Sequence, residues 1–169
     1  MWQIILAQFS EPDFSTMLAQ LGLAVVLGSL IGIEREVARK TAGVRTHALV
    51  ALGATLFAII SKYAFKEFWG LPGFDPSRIA SQVVVGVGFI GTGLIAFNQN
   101  RVQGLTTAAG LWVSAAIGMA VGYRLYAIGI VTTLLTLIVF VALWYFEDLL
   151  LKKLPPPHRF EREGQPHEH

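Results

Sequence analysis

The stretch DPSRIASQVVVGVGFIGTGLIAFNQNRVQGLTTAAG, residues 75–110, decides how the rest of the chain is read. Asp75 can cap free backbone N–H groups, and Pro76 stands where its missing N–H costs nothing, so a helix is expected to begin here. From Ile79 to Phe97 run nineteen residues without a formal charge. As a helix rising about 1.5 Å per residue they reach roughly 28 Å, close to the hydrocarbon thickness of a bilayer. Gly86, Gly88, Gly91 and Gly93 would weaken a helix in water; in lipid they let a neighbouring helix approach to backbone contact. The polar loop Asn98–Gly104 then turns the chain, and Leu105 opens a second span rich in Thr, Ala and Gly. Two small-residue helices are predicted to form a hairpin.

Composition supports lipid as the solvent. The 169 residues are 54% hydrophobic and 14% charged, with a mean hydropathy of +0.58, unlike a soluble domain of this length. The apolar runs are continuous and about twenty residues long, which fits helices and not the alternating segments of an outer-membrane barrel. Cysteine is absent, removing disulfides and thiolate metal or redox sites. The net charge of +2 is small, and the basic residues lie beside the spans, so they are read as orienting the chain in the membrane and not as a nucleic-acid surface.

Five transmembrane helices follow, an all-α polytopic fold. Residues Met1–Phe9 are apolar but too short to span and lack the pattern of a secretory signal; Trp2 and Phe9 suit the interface. Span one runs from about Phe14 to Ile33, with Gly28 and Gly32 as a GxxxG pair. The loop EREVARKTAGVR, Glu34 to Arg45, is basic and is assigned to the cytoplasmic side. Span two covers about His47–Tyr63. The mixed aromatic and charged segment Ala64–Phe74 is expected at the interface. Spans three and four form the hairpin above, the fourth carrying Gly118 and Gly122, and a short turn at Gly122–Arg124 leads to span five, about Leu125–Phe146. The inner side then holds Arg35, Arg39, Lys40, Arg45, Arg101, Lys152, Lys153, Arg159 and Arg162, against Lys62, Lys66, Arg78 and Arg124 outside. Nine against four predicts an outer N-terminus and a cytoplasmic C-terminus. Residues 1–153 are read as the membrane domain and 154–169, with Pro155, Pro156 and Pro157, as a disordered tail.

The polar residues worth following are few. Glu34, Arg35, Arg39, Lys40, Arg45, Thr46 and His47 gather near the first turn, and Arg101, Thr106 and Thr107 belong at the same membrane level. They read either as a site for an anion, headgroup or partner protein, or as surface anchors with Glu36 paired to Lys40 and the threonines capping a helix. Asp75 and Arg78 are close enough to pair, and Gln82, one turn deeper, is expected to bond across helices. His47 has no second histidine before His158, so no metal ligand set and no cofactor site is expected. None of the five spans has an acidic residue in its interior, and no Walker, GxSxG or HExxH motif occurs. The chain is not expected to be an enzyme.

Three blocks, GSLIGIEREVARKTAGVRTHALVALGA, DPSRIASQVVVGVGFIGTGLI and VQGLTTAAGLWVSAAIGMAVG, resemble the membrane domain of the MgtC/SapB family over about Leu21–Gly122. The resemblance implies a bacterial inner-membrane protein tied to growth when magnesium is scarce and, in pathogens, to survival in host cells. It also implies a membrane protein partner, the F-type ATP synthase being the one linked to the best-known member. The matching residues are Glu34, Arg35, Lys40, Gly43, Arg45, Thr46, His47, Asp75, Arg78, Gln82, the glycines from Gly86 to Gly93, Gly104, Thr106, Thr107 and Trp112. The best-known members continue into a folded cytoplasmic domain, where this chain is expected to have only its short tail. The partner-binding reading stands beside an alternative, a small ion channel or transporter built as a homo-oligomer. The glycines of spans one, three and four, Gly28, Gly32, Gly86, Gly88, Gly91, Gly93, Gly118 and Gly122, are assigned to helix packing.

Overall fold

A computed structural model describes residues 13–64, 75, 77–98 and 101–151. The segments 1–12, 65–74 and 152–169, and with them the expectations for the N-terminal interface residues, the aromatic segment and the tail, lie outside the described residues. Five helices carry the fold: α1 (Phe14–Val37), α2 (Val44–Tyr63), α3 (Ser77–Thr92), α4 (Leu105–Gly122) and α5 (Tyr126–Leu151). The all-α membrane-type reading holds. α1, α2 and α4 are each long and apolar enough to cross a membrane.

The third span departs from expectation. α3 ends at Thr92, after 16 residues, and the remaining apolar residues enter a small antiparallel hairpin. Its strands, β1 (Ala96–Asn98) and β2 (Arg101–Gln103), pair with Phe97 opposite Val102. The cause lies at Gly104, whose φ of +89° is left-handed, and where an added Cβ would meet the backbone carbonyl of Leu94. Glycine tolerates both. The chain can therefore fold back tightly onto the end of α3 before α4 begins, so residues counted as span become connection.

Contacts fix the directions. Gly28 and Gly32 of α1 meet Ala51 and Val44 of α2 in reverse order, so these helices are antiparallel. Gly118 meets Ala51 and Gly122 meets Ala58, so α4 runs parallel to α2. Gly91 meets Ala108 across the α3–α4 hairpin, and Gly129 of α5 lies against Ile117 and Val121. The result is an up-and-down bundle in which α4 touches the other four helices. Its centre is a cluster of Ala24, Leu27, Ile31, Ala51, Ile117 and Val121, extended toward α3 by Ala54, Val83, Val87 and Ala115.

In lipid, apolar side chains gain little by leaving acyl tails for a neighbouring helix, so close packing and hydrogen bonds must hold the helices together. Both are present. A Cβ on Gly28 would lie 2.7 Å from the His47 carbonyl oxygen, and one on Gly122 would lie 2.5 Å from the Ala58 Cβ. The Thr55 hydroxyl donates to Gly118 O at 2.7 Å, bridging α2 and α4. The exterior is correspondingly apolar: Phe89 is 84% exposed, and Leu134, Leu135 and Ile138 also face outward. Such a surface suits acyl chains and would aggregate in water.

Candidate functional site

The C-terminal end of α1 builds the most unusual polar feature. Arg35 is 4% exposed, and its Nε and terminal nitrogen both donate to the Glu34 carboxylate, the latter to Oε1 at 2.6 Å. Its guanidinium lies 3.5 Å from the centroid of the Phe140 ring on α5. A buried cation is tolerable when a counter-ion and an aromatic face replace its water. The next residues close the helix. Ala38 and Lys40 donate backbone N–H groups to Glu34 O and Arg35 O, and Arg39 adopts φ +54°, a left-handed closure more usual for glycine. This leaves Arg39 and Lys40 exposed at the rim. Glu36 does not fill the role of a Lys40 partner; its carboxylate accepts the Val44 N–H at 3.1 Å, tying the start of α2 to α1.

Beneath this rim His47 is fully buried. Its Nδ1 lies 2.9 Å from Ser114 Oγ on α4, while that hydroxyl donates to Gly110 O at 3.0 Å. The imidazole, the hydroxyl and the Gly110 carbonyl thus form one buried polar chain, and Nε2 has no partner at hydrogen-bonding geometry among the described residues. The imidazole and the Phe140 ring approach Gly110 together, 3.2 and 3.1 Å from where its Cβ would be. A polar column thus runs from Glu34 through Arg35 and Phe140 to His47 and Ser114.

Alongside it opens a cleft of about 950 Å³ between α1, α4 and α5. Glu34, Arg35, Arg39, Lys40 and Thr106 line its mouth, and Val113, Leu135, Val139 and Phe140 line its wall. Of the other residues singled out from sequence, Thr107 is buried. Arg45 is exposed and Thr46 half-buried, both outside the cleft lining. Asp75, Arg78 and Gln82 do not join the group, because they begin α3 at the far end of the bundle. There the Asp75 carboxylate accepts the Ser77 N–H at 2.9 Å and the Ser77 hydroxyl at 2.7 Å, the helix-start role expected of it. These bonds hold its carboxyl below the usual carboxylate range.

Two expectations are corrected. Gln82 is exposed; the glutamine that bonds across helices is Gln20, 1% exposed, whose amide donates to Val121 O at 2.7 Å and Gly122 O at 2.9 Å. A lone amide inside the apolar run of span one was the available signal. Among the described residues Gly86 and Gly88 have no packing neighbour: a Cβ on either meets nothing within 4 Å. Gly91 does have a neighbour, Ala108, but at an ordinary 3.5 Å. A Cβ on Gly93 would contact the Ile90 carbonyl of its own segment. Phe140 and Ser114 carried no sequence signal, since neither spacing nor charge distinguishes them from their neighbours.

Residues 21–149 match the model of the MgtC family. The chain belongs to that family. Similar MgtC-family proteins include one named "Putative magnesium transporter YhiD" in Escherichia coli strain K12, 50% identical over 122 residues, covering 71% of this chain and 57% of that protein. Protein MgtC of Brucella abortus strain 2308 is 42% identical over 115 residues, covering 68% of this chain and 46% of its own. Protein SapB of Bacillus subtilis is 36% identical over 127 residues, covering 73% and 53%. The chain spans about half the length of these relatives. No solved structure matches it.

Proposed function

We propose that this MgtC-family protein serves a bacterial inner membrane in adaptation to scarce magnesium, by binding and modulating a membrane protein partner and without catalysis. The basic end, Glu34 to Arg45, faces the cytoplasm. One observation carries the reading. Gly28, Gly32, Gly118 and Gly122 are consumed by contacts inside the bundle, whereas the outer face of α3, with Gly86 and Gly88 beside exposed Val85 and Phe89, has no covering element among the described residues. Bare glycine backbone in a membrane helix is an approach surface for another helix. The family resemblance makes the F-type ATP synthase the first partner to try.

The test is Gly88→Leu. The purified variant should keep its thermal stability while losing a membrane complex that co-purifies with the unaltered protein, and cells carrying it should grow poorly in low magnesium. An undiminished complex and normal growth would count against the reading. A second reading, a small oligomeric magnesium channel or transporter, draws on the cleft and on the name of the YhiD relative. Magnesium flux through reconstituted protein, absent from empty vesicles, would favour it over partner binding.

A further inference from the structure

We infer that the cleft between α1, α4 and α5 binds a membrane phospholipid with an anionic phosphate headgroup. Its two ends differ in chemistry. Among the described residues the mouth carries three cations, Arg35, Arg39 and Lys40, and one carboxylate, that of Glu34, which is already taken by Arg35. Arg39 and Lys40 are exposed there, so the described residues of the mouth present an excess of positive charge. A phosphate offers the oxygens that guanidinium and ammonium groups bind most strongly.

The wall is apolar and long. On α5 the lining runs from Thr132 to Tyr145, which at about 1.5 Å per residue is roughly 20 Å, the reach of an acyl chain down one leaflet. Leu135 is 56% exposed and Val139 49%, so the cleft opens sideways among residues that face lipid. The volume of about 950 Å³ is of the size that encloses a small ligand. A free anion would leave the wall empty, and a zwitterionic lipid would bring its own cation up against Arg39 and Lys40. An anionic lipid matches both ends. This inference does not depend on the α3 surface, and α3 variants leave it untouched, so the two readings fail separately.

The experiment uses the full chain in detergent, with native mass spectrometry to count retained lipid after addition of phosphatidylglycerol or phosphatidylcholine. The unaltered protein should retain phosphatidylglycerol preferentially. Arg39→Gly suits the left-handed backbone and keeps the fold, and Lys40→Gln is conservative in size; each should weaken phosphatidylglycerol retention about fivefold. Ala109→Phe, which fills the cleft from α4, should abolish retention without lowering the melting temperature of the lipid-free protein. Equal retention of both lipids, or retention unchanged in the Arg39→Gly/Lys40→Gln double variant, would overturn the inference and leave the cations as surface anchors. Displacement of phosphatidylglycerol by inorganic phosphate or by an acidic peptide would also overturn it, reassigning the mouth to a soluble anion or a protein segment.

Discussion

His47 of α2 and Ser114 of α4 meet beneath the basic rim of the bundle, Nδ1 to Oγ at 2.9 Å, both fully buried. Between parallel helices packed through glycine this bond fixes rotation, because a hydroxyl and an imidazole meet in one register only. Interhelical hydrogen bonds in membranes contribute about 0.6 kcal/mol on average, and more when a buried partner is orphaned. Ser114→Ala leaves Nδ1 unpaired and should destabilise the protein by about 1–2 kcal/mol, read from denaturant unfolding in detergent. A loss below a few tenths would show that the contact is incidental.

The same substitution should have opposite signs at two glycines. Gly118→Ala drives a methyl into the Ala51 backbone, which has no flexible end to yield; the cost should be about 1–3 kcal/mol or more. Gly86→Ala adds a methyl to an exposed helical position with open space around it, and should stabilise by about 0.5–1 kcal/mol through the higher helix propensity of alanine. Melting temperatures of the two variants, measured side by side, decide whether contact or propensity governs each site.

Arg124 holds together the far end of the bundle. Its guanidinium donates to Asp13 Oδ1 at 2.8 Å and to the Tyr63 hydroxyl, from a backbone with φ +65°. Arg124→Gly loses both partners but relieves a conformation that side chains rarely adopt. Arg124→Ala loses the partners and keeps the strain. The alanine variant should therefore melt below the glycine variant, and the reverse order would mean that the turn carries no strain.

Stability at low pH should respond to Asp75. Hydrogen bonds from Ser77 lower its folded-state pKa beneath the ordinary 3.8, so the unfolded chain takes up the proton first as pH falls. The contribution is then present above about pH 4 and disappears as pH drops through the lowered value. Asp75→Ala should narrow the difference in melting temperature between pH 6 and pH 3 compared with the unaltered chain. An unchanged difference would show that the Asp75 cap does not couple to folding.

The helices were legible in the sequence, as were the short basic loop Glu34–Arg45, the tight turn at Gly122–Arg124 and the close contacts of Gly28 and Gly32, because continuous apolar runs, charged breaks and GxxxG spacing each have one physical meaning in lipid. The inward and outward faces of α3 were not. Core and bilayer are equally apolar, so hydropathy cannot separate Val83, which is buried, from Val85, which is 67% exposed. Gly86 and Gly88 inherit that ambiguity. The early end of α3 was hidden for a related reason: Leu94–Phe97 are as apolar as a span, and only the left-handed Gly104 turns them into connection. At the basic end, charge drew attention to Glu34 and Arg35, but the aromatic face that shelters Arg35 comes from Phe140, more than a hundred residues away.

The shortness of α3 sets a condition on the surrounding lipid. Sixteen helical residues extend about 24 Å, some 6 Å less than an average hydrocarbon slab. A helix of that length set in a full slab leaves a mismatch that neighbouring acyl chains take up by shortening or tilting, at a fraction of a kcal/mol per ångström. That strain is relieved when protein instead of lipid covers α3, so a thicker bilayer would push this face toward association and a thinner one would let it stand alone.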